Sequence, residues 1–188
     1  MCIRDRFRGA KVKYIHGPLR NKLDITEGIK TYEIETSNDL SNAIKNEISE
    51  CDYFIMNAAV ADFKILGETS KKIPKSEIEN FFNNNIELVP DILKGICKAK
   101  KENQIFVGFC AFTGSIKIAR KTIKEKIMNK DCDLLFANPI DIEEQGFGPS
   151  AKNEGWLFDK RNMETHIEKT SKIELANNLI NQIISTHK

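Results

Sequence analysis

The sequence predicts an α/β protein with a doubly wound, mostly parallel sheet and a C-terminal antiparallel hairpin at one edge. Two observations support this fold class. Three apolar runs have the composition of strands buried on both faces, as in parallel sheets: 53–60, 104–112 and 133–139. Segments with helical spacing separate them, which implies right-handed crossovers. The hairpin is indicated by two short strands within 155–168, with a turn at Arg161 and Asn162.

For the N-terminal part, the sequence predicts the end of a helix, two strands and a second helix. The first apolar run follows them. Residues 7–9 have the composition of a last helical turn with a glycine stop, followed by a strand over 11–15. A strand over 30–36 ends at Thr36, which stands at capping-box spacing from Asp39. This strand, the helix and the first apolar run form a predicted β-α-β unit with parallel strands.

The middle of the chain contains a long polar segment, 64–79, without an apolar period, so it is either disordered or a lid. Its lysines are either solvated or a clamp for phosphates. The remaining predicted elements are a strand over 86–89, a helix over 92–100 behind Pro90 and Asp91, a helix capped by Ser115, a loop over 146–149, and a last helix begun by a capping box of Ser171 and Glu174. Together they predict a Rossmann-like domain.

Composition indicates one ordinary globular domain spanning 1–188, with 40% hydrophobic and 30% charged residues. A net charge of +2 gives no indication of nucleic-acid binding. No apolar run approaches the ~20 residues that span a bilayer, and no apolar signal core begins the chain. The five cysteines have unrelated spacings, which argues against a disulfide framework. We therefore expect a cytoplasmic protein.

The candidate site follows the first apolar run. Asn57, Ala58 and Ala59 leave room beyond the strand, and Asp62 adds a carboxylate able to hold a metal, an amine or a hydroxyl. Open α/β sheets bind ligands beyond the carboxyl ends of their strands. A core strand followed by a solvated aspartate explains the stretch equally well. No glycine-rich dinucleotide fingerprint, phosphate loop or nucleophile elbow occurs, and the remaining polar residues suit a nucleotide or another phosphorylated ligand.

Several motifs occur in a specific order from Gly9 onward: 57–63, 72–75, 89–93, 107–109, Lys126 with Lys130, 133–138 and 146–148. Together they resemble phosphopantothenoylcysteine synthetase, the phosphopantothenate–cysteine ligase half of the bifunctional coenzyme A biosynthesis flavoprotein. The resemblance implies CTP-dependent ligation of 4'-phosphopantothenate to L-cysteine. The carboxylate attacks the α-phosphate of CTP and releases pyrophosphate, and the cysteine amine then attacks the acyl-cytidylate and releases CMP.

The resemblance also implies cofactors, partners and site residues. Magnesium would accompany CTP, with no FMN in this segment, and the protein would be a homodimer with a fused or separate flavin-dependent decarboxylase domain. Lys72 would be the catalytic flap lysine, Phe109 would flank the cytosine, and Lys126 and Lys130 would reach the phosphates. Asp62 is a candidate magnesium contact. The remaining implied nucleotide contacts are Met56, Asn57, Ala58, Asp62, Pro90, Asp91, Ile92 and Leu93.

The chain departs from the family pattern in three respects. The family's first strand and helix are missing, and residues 1–6 have the character of foreign sequence. Phe112 stands where the family usually has glutamate, and Pro74 interrupts the usual Lys-Ile-Lys-Lys. One alternative is therefore a catalytically incomplete nucleotide-binding or assembly module of the same fold. Another is a Rossmann-like oxidoreductase that has lost its glycine fingerprint, but the lysine-rich loop and the lack of a Tyr-x-x-x-Lys pattern disfavour it.

Overall fold

The computed structural model describes residues 2–19, 28–66, 72–142 and 152–186. Its helices are α1 (Cys2–Phe7), α2 (Ser37–Glu47), α3 (Ile78–Asn85), α4 (Ile92–Cys97), α5 (Ile116–Lys130) and α6 (Lys172–Thr186), with short 3₁₀ turns at Ile48–Glu50 and Lys75–Glu77. Its strands are β1 (Val12–His16), β2 (Ile29–Glu33), β3 (Tyr53–Met56), β4 (Phe63–Ile65), β5 (Ile86–Leu88), β6 (Ile105–Phe112), β7 (Leu134–Pro139), β8 (Lys152–Asp159) and β9 (Glu164–Ser171).

The main sheet has five strands in the order β3-β6-β7-β8-β9. β6 pairs in parallel with β3 and with β7, whereas β8 pairs antiparallel with β7 and with β9. The β8–β9 turn contains Asn162 at φ 65°, and Asp159 accepts hydrogen bonds there from two backbone amides. The predicted α/β class, with parallel strands and a C-terminal antiparallel hairpin at one edge, is confirmed.

β1 and β2 form a separate parallel pair. Contacts at the end of α2 bring the start of β1 close to the start of β6. Near the start of β1, the Lys13 ammonium lies 2.7 Å from Glu47 and 2.8 Å from Glu50. Just before β6, the Gln104 amide donates to the carbonyls of Ile48 and Cys51, each at 2.7 Å. The amino ends of these strands therefore lie at one edge, but β2 and β3 are not neighbours as the predicted β-α-β unit implied.

Two apolar clusters lie on opposite faces of the main sheet. On one face α2, α4 and α5 pack over a cluster that contains Phe106, which is fully buried. On the other face α6 packs through Leu179 and Ile183 against Val107 and Phe136. The two faces alternate along β6, since successive residues of a strand point to opposite sides. Helical spacing predicts five inward residues in this last helix, and all five are buried: Leu175, Ala176, Leu179, Ile180 and Ile183.

The predicted capping signals are largely confirmed. The Asp39 amide donates to the Thr36 hydroxyl at 3.1 Å, and the Thr36 amide donates to the Asp39 carboxylate at 3.0 Å. At the start of α6 the Glu174 amide donates to the Ser171 hydroxyl at 3.1 Å. Ser115 occupies the N-cap position of α5 without a side-chain hydrogen bond.

Several predicted boundaries were wrong. The strand predicted over 53–60 ends at Met56, the strand over 30–36 ends at Glu33, and the helix over 92–100 ends at Cys97. Within the predicted loop over 64–79 the structure begins α3 at Ile78, and β4 pairs antiparallel with β5 in a separate two-stranded ribbon. Most of α3 is exposed, although its apolar residues Ile78, Phe81 and Phe82 stand at helical spacing. The loop predicted over 146–149 lies outside the described residues.

The side chains of four of the five cysteines are described, and all four are free thiols. Cys97, Cys110 and Cys132 are buried, and Cys51 is half-buried. Burial raises the pKa of the Cys97 thiol to about 12 and that of Cys132 to about 11. These thiols stay protonated at neutral pH and behave as small apolar core groups. In the described part of the chain, no helix combines the length and apolarity that crossing a bilayer requires.

Gly155 in β8 lies against the ring of Phe136, which leaves no room for a side chain. A Cβ there would lie 2.6 Å from Phe136 Cε2 and 2.8 Å from the carbonyl oxygen of Ala137. We expect Gly155→Ala to lower the free energy of unfolding by about 1–3 kcal/mol, the usual cost of overpacking. Gly95→Ala is the matched control, because a Cβ at this site in α4 meets nothing within 4 Å. It should stabilise by about 0.5–1 kcal/mol, and urea denaturation of both variants measures the difference.

Candidate functional site

The segment that leaves β3 lies at the carboxyl edge of the sheet. Met56 and Val60 are partly buried and pack against the cluster beneath α4 and α5, whereas Asn57, Ala58 and Ala59 between them are exposed. β6 continues for four residues beyond the position of Gly108, which pairs with Met56. The small exposed residues therefore leave the sheet beside the free end of a longer central strand.

The position of β3 depends on a buried polar residue that sequence reasoning did not assign to the site. Gln104 is 3% exposed, and its amide bonds to the Ile48 and Cys51 carbonyls fix the chain that enters β3. Asp133 acts similarly on β6, since its carboxylate accepts from the Phe106 amide at 2.7 Å and pairs with Lys100 at 2.5 Å. For both Gln104 and Asp133, the signal available in the sequence was a polar residue at the start of an apolar run.

Two of the predicted nucleotide-binding residues form an ion pair with each other. The Lys130 ammonium, at the end of α5, lies 2.8 Å from the Asp91 carboxylate. Asp91 is the N-cap of α4, and its other oxygen accepts from the Lys94 amide at 3.0 Å. Burial raises the pKa of Asp91, but the bonds from Lys130 and Lys94 outweigh it and leave the pKa below its usual 3.8. The pair connects α4 to α5.

Lys126 lies one turn before Lys130 on α5 and belongs to the same electrostatic environment. Both ammonium groups are close enough to Cys110, on β6, to oppose the effect of burial, which on balance raises the pKa of this thiol. Lys126 is exposed, whereas Lys130 is partly buried by its pair with Asp91. The structure therefore places two cations above β6, on the face that also carries Met56 and Val60.

Other predicted residues contribute differently. Ile92 and Leu93 are 8% and 5% exposed and belong to the core, so only their backbone groups are available to a ligand. Phe109 lies on the opposite face of the sheet, where its ring centroid is 5.3 Å from that of Phe136. The structure thus separates Phe109 from Lys126 and Lys130 by the thickness of the sheet.

Asp62 and Lys72 are both exposed. The backbone carbonyl of Asp62 accepts from the Val89 amide at 2.9 Å, which anchors the β4–β5 ribbon. Among the described residues, no three carboxylate, histidine or cysteine side chains gather in a group that would hold a metal. Asp62 could thus supply one carboxylate to a magnesium ion whose remaining ligands are phosphates and water, an arrangement common for this ion.

The structure accounts for Phe112 and Pro74, two residues that differ from the family pattern. Phe112 is 9% exposed, and its ring lies 5.8 Å from that of Trp156. An aromatic residue at this position fills the core beneath α5. Pro74 is the N-cap of the 3₁₀ turn Lys75–Glu77 with φ −61°, an angle that proline adopts without strain.

Two polar residues order the loops at the carboxyl edge. Asn138 is 9% exposed and its side-chain amide donates to the Pro139 carbonyl at 3.2 Å, so it satisfies the loop backbone. Asp141, which sequence reasoning missed, accepts from the Gly114 amide at 2.6 Å. This bond holds the loops after β6 and β7 together.

A basic groove of about 870 Å³ lies elsewhere, along the outer side of α5, and Lys117, Lys121 and Lys124 line it. Arg120 also borders it but is held by a bidentate pair with Glu164 at 2.6 and 2.8 Å. None of the predicted site residues lines this groove.

Removing the Asp91 side chain tests the connection between α4 and α5. Asp91→Ala loses both the cap and the ion pair, and we expect a loss of about 1 kcal/mol of stability. Asp91→Asn keeps a good cap but loses the charge, so its loss should be smaller. Because the pKa of Asp91 is lowered in the folded protein, the difference between the native chain and Asp91→Asn should be full at pH 7 and vanish as the pH falls below the usual aspartate range. Urea titrations from pH 7 to pH 2.5 measure it, and a constant difference would contradict the ion pair.

Comparison with known proteins gives a family for nearly the whole chain. Residues 3–186 match the family model described as the DNA/pantothenate metabolism flavoprotein C-terminal domain. The chain is 29% identical over 177 residues to a cysteine/cysteine sulfinic acid decarboxylase of an unknown prokaryotic organism, a match that covers 94% of this chain and 47% of the relative. It is 33% identical over 174 residues to the coenzyme A biosynthesis bifunctional protein CoaBC of Borreliella burgdorferi, covering 92% of this chain and 41% of the relative.

A solved structure, the C-terminal domain of a coenzyme A biosynthesis bifunctional protein CoaBC, shares the fold with a TM-score of 0.73 at 23% identity. The match covers 97% of this chain and 79% of that one. The chain thus spans somewhat less than half the length of the curated relatives it matches. With a family match across residues 3–186, the chain belongs to the DNA/pantothenate metabolism flavoprotein C-terminal domain family.

Proposed function

We propose that the chain is the part of a phosphopantothenate–cysteine ligase that activates 4'-phosphopantothenate with CTP and joins it to L-cysteine. The observation that carries this proposal is that α5, which ends with Lys126 and Lys130, packs on the face of the sheet where the small residues after Met56 leave β3, with the Lys130 ammonium 2.8 Å from Asp91. Membership of a family whose relatives include coenzyme A biosynthesis proteins supports the same substrate class.

The lysines would neutralise the phosphates of CTP while the exposed backbone after β3 approaches the base or ribose. Lys130 is paired with Asp91, so a phosphate must compete with this carboxylate. Asp91 would then be free to accept a hydrogen bond from a ribose hydroxyl. Asp62, the first carboxylate after the exit of β3 in sequence, would hold a magnesium ion, which would neutralise phosphate charge.

The chemistry needs positioning more than acid–base groups. The phosphopantothenate carboxylate attacks the α-phosphate of CTP to form an acyl-cytidylate and pyrophosphate. The cysteine amine then attacks the acyl carbon, and CMP leaves. The first step brings a carboxylate and a triphosphate together, and the second expels CMP as an anion while the amine gives up a proton, so cations held in place stabilise the charge in both steps. Lys72, exposed on the segment before Pro74, is the proposed clamp on the triphosphate.

We further propose a cytoplasmic homodimer that works with a flavin-dependent decarboxylase domain, fused or separate. The β4–β5 ribbon and α3 carry exposed apolar side chains suited to a contact between copies, among them Phe63, Ile65 and Leu88 at 51%, 50% and 76% exposure. The bifunctional relative is more than twice as long as the matched segment, which leaves room for a second domain in that protein.

Calorimetric titration with CTP and magnesium tests the proposal, with ATP titrated in parallel. Selective binding of CTP is the expected result. Equal affinity for CTP, ATP, GTP and UTP would overturn it. The matched control is Lys121→Ala, since Lys121 is exposed on the outer side of α5 and should leave affinity unchanged, whereas Lys126→Ala should weaken it about tenfold.

One alternative keeps the binding site and loses the reaction. Phe112 fills the core where the resemblance leads one to expect glutamate, which favours a nucleotide-binding or assembly module without turnover. This alternative predicts CTP binding with no release of pyrophosphate when phosphopantothenate is added. A coupled pyrophosphate assay separates the two.

A further inference from the structure

The basic groove of about 870 Å³ runs along the outer side of α5, where the turn between β8 and β9 approaches the helix. Lys117, Lys121, Lys124 and Met128 line it from the helix, and Asn162 lines it from the turn. The lining contains none of the residues proposed to bind the nucleotide. This surface is therefore available for a role other than the ligation.

The basic groove carries an excess of positive charge. Four cationic side chains line it, and two carboxylates lie beside them, Glu125 and Glu164. Glu164 is occupied by its bidentate pair with Arg120. Glu125 lies 4.0 Å from Lys121, and this pair is weak because both side chains are largely exposed. The excess of two positive charges equals the net charge of the whole chain, so the other acidic and basic residues cancel one another.

Two of the cations are poorly compensated. Within the described ranges neither Lys117 nor Lys124 forms an ion pair, although Lys124 is half-buried. The bonds from Arg120 lower the pKa of Glu164, and the charge of Lys124 lowers it further, so these two cations share one carboxylate. A half-buried ammonium has lost part of its hydration, and an additional carboxylate beside it is favourable.

Exposed apolar side chains accompany these cations. Ile118 and Met128 of α5 are 80% and 63% exposed, and Met163, directly after Asn162 in the turn, is 67% exposed. Helical periodicity places Ile118, Lys121 and Met128 on the same outer side of α5. Methionine side chains are flexible and suit surfaces that adapt to a partner. Cations and apolar groups next to each other fit a partner that is both acidic and apolar.

The arrangement suits a helix better than a single anion, a nucleic acid or a strand. Lys117 and Lys124 are about 10 Å apart along the helix axis, so the cations form a row and not one cradle for a phosphate. The residues that line the groove include no aromatic side chain on which a base could stack, and Glu125 would repel a phosphate backbone. A strand could not add to α5, because the backbone groups inside a helix are already bonded to one another.

We propose that the basic groove is the docking surface for an acidic, amphipathic helix of a protein partner. The carboxylates of this helix pair with Lys117, Lys121 and Lys124, and its apolar face covers Met128 and Met163. The opposite charges speed the encounter and fix the register of the two helices. Burial of the apolar side chains supplies much of the affinity.

Fluorescence anisotropy with two labelled synthetic peptides of about 18 residues tests the proposal without CTP, so its outcome is independent of the proposed function. One peptide places glutamates and leucines at helical spacing, so that the leucines form one face. The other has the same composition in an order that scatters the leucines. The 188-residue chain should bind the first peptide at least about tenfold more tightly than the second. A labelled oligonucleotide of about 18 thymidines should bind more weakly than the first peptide.

Charge reversal locates the binding surface. The double variant Lys117→Glu with Lys121→Glu should weaken binding of the first peptide at least about tenfold, because attraction is replaced by repulsion. The matched control is Lys45→Glu with Lys98→Glu, which changes the net charge equally at two exposed lysines on α2 and at the end of α4. It should change the affinity by less than about threefold. Met128→Ser keeps the charge and should weaken binding about threefold or more.

Four results would overturn the proposal. One is the absence of binding to either peptide. Another is equal affinity for the two peptides, which would identify charge attraction without a docking surface. The third is an equal loss of affinity in the two double variants, which would place the binding site away from α5. The last is tighter binding of the oligonucleotide than of the first peptide, which would identify a surface for nucleic acid. All five substituted residues are exposed, and circular dichroism of each variant checks that the fold is retained.

Discussion

Replacing Phe106 with alanine should destabilise the protein by about 3–5 kcal/mol, the usual cost of removing a buried aromatic ring. Phe106 is fully buried at the centre of the sheet, and its ring lies 5.3 Å from that of Phe54 in an edge-to-face arrangement. α2 and α4 both pack over the cluster it belongs to, so the cavity has no simple way to collapse. Thermal unfolding should shift downward by roughly 10 °C for a chain of this length.

Phe7→Ala is the matched control for Phe106. It removes the same ring from α1, where Phe7 is 74% exposed. Its effect should stay within about 1 kcal/mol, as for most surface substitutions. Equal losses in the two variants would mean that Phe106 is not the centre of the core.

Lys72→Ala should reduce CTP-dependent pyrophosphate release about a hundredfold or more in the full-length protein, the scale observed when one charge-stabilising donor is removed from an active site. Its ammonium is exposed and available to a triphosphate. Stability should change little, because no core contact is lost. A steady-state assay with phosphopantothenate, CTP and magnesium measures the loss.

Lys75→Ala gives the comparison for Lys72, since both lysines are exposed and lie close in sequence around Pro74. Lys75 begins a 3₁₀ turn and should retain activity within about threefold, as a solvated lysine would. Lys72→Arg should recover part of the activity because the charge is kept. Unchanged turnover in Lys72→Ala would identify Lys72 as a surface residue.

Local sequence patterns predicted the elements well where one face or both faces are buried. The runs that became β6 and β7 were recognised because nearly all their residues are apolar, and the capping box at Thr36 was recognised because its two bonds are local. The run beginning at Tyr53 was extended too far, because its end depends on where pairing with β6 stops. α3 was missed although Ile78, Phe81 and Phe82 stand at helical spacing, because the helix has only eight residues and follows a long polar segment.

The types of residue in the candidate site were predictable from the sequence. Their arrangement in space was not. The pair of Lys130 with Asp91 joins residues 39 positions apart and arises only when α4 packs beside α5. The side of the sheet that Phe109 occupies depends on the register of β6, which alternation alone does not fix. Gln104 supports the site through two carbonyls more than 50 residues earlier, so no local motif marks it.

The alkylation rates of the buried thiols should report how often the protein unfolds around them. Alkylating reagents attack the thiolate, and Cys97, Cys110 and Cys132 are both shielded from reagent and held in the protonated form. Each thiol can be modified only when local or global unfolding exposes it. Cys97 belongs to α4 and Cys110 to β6, so their separate labelling rates should distinguish brief detachment of one helix from unfolding of the sheet.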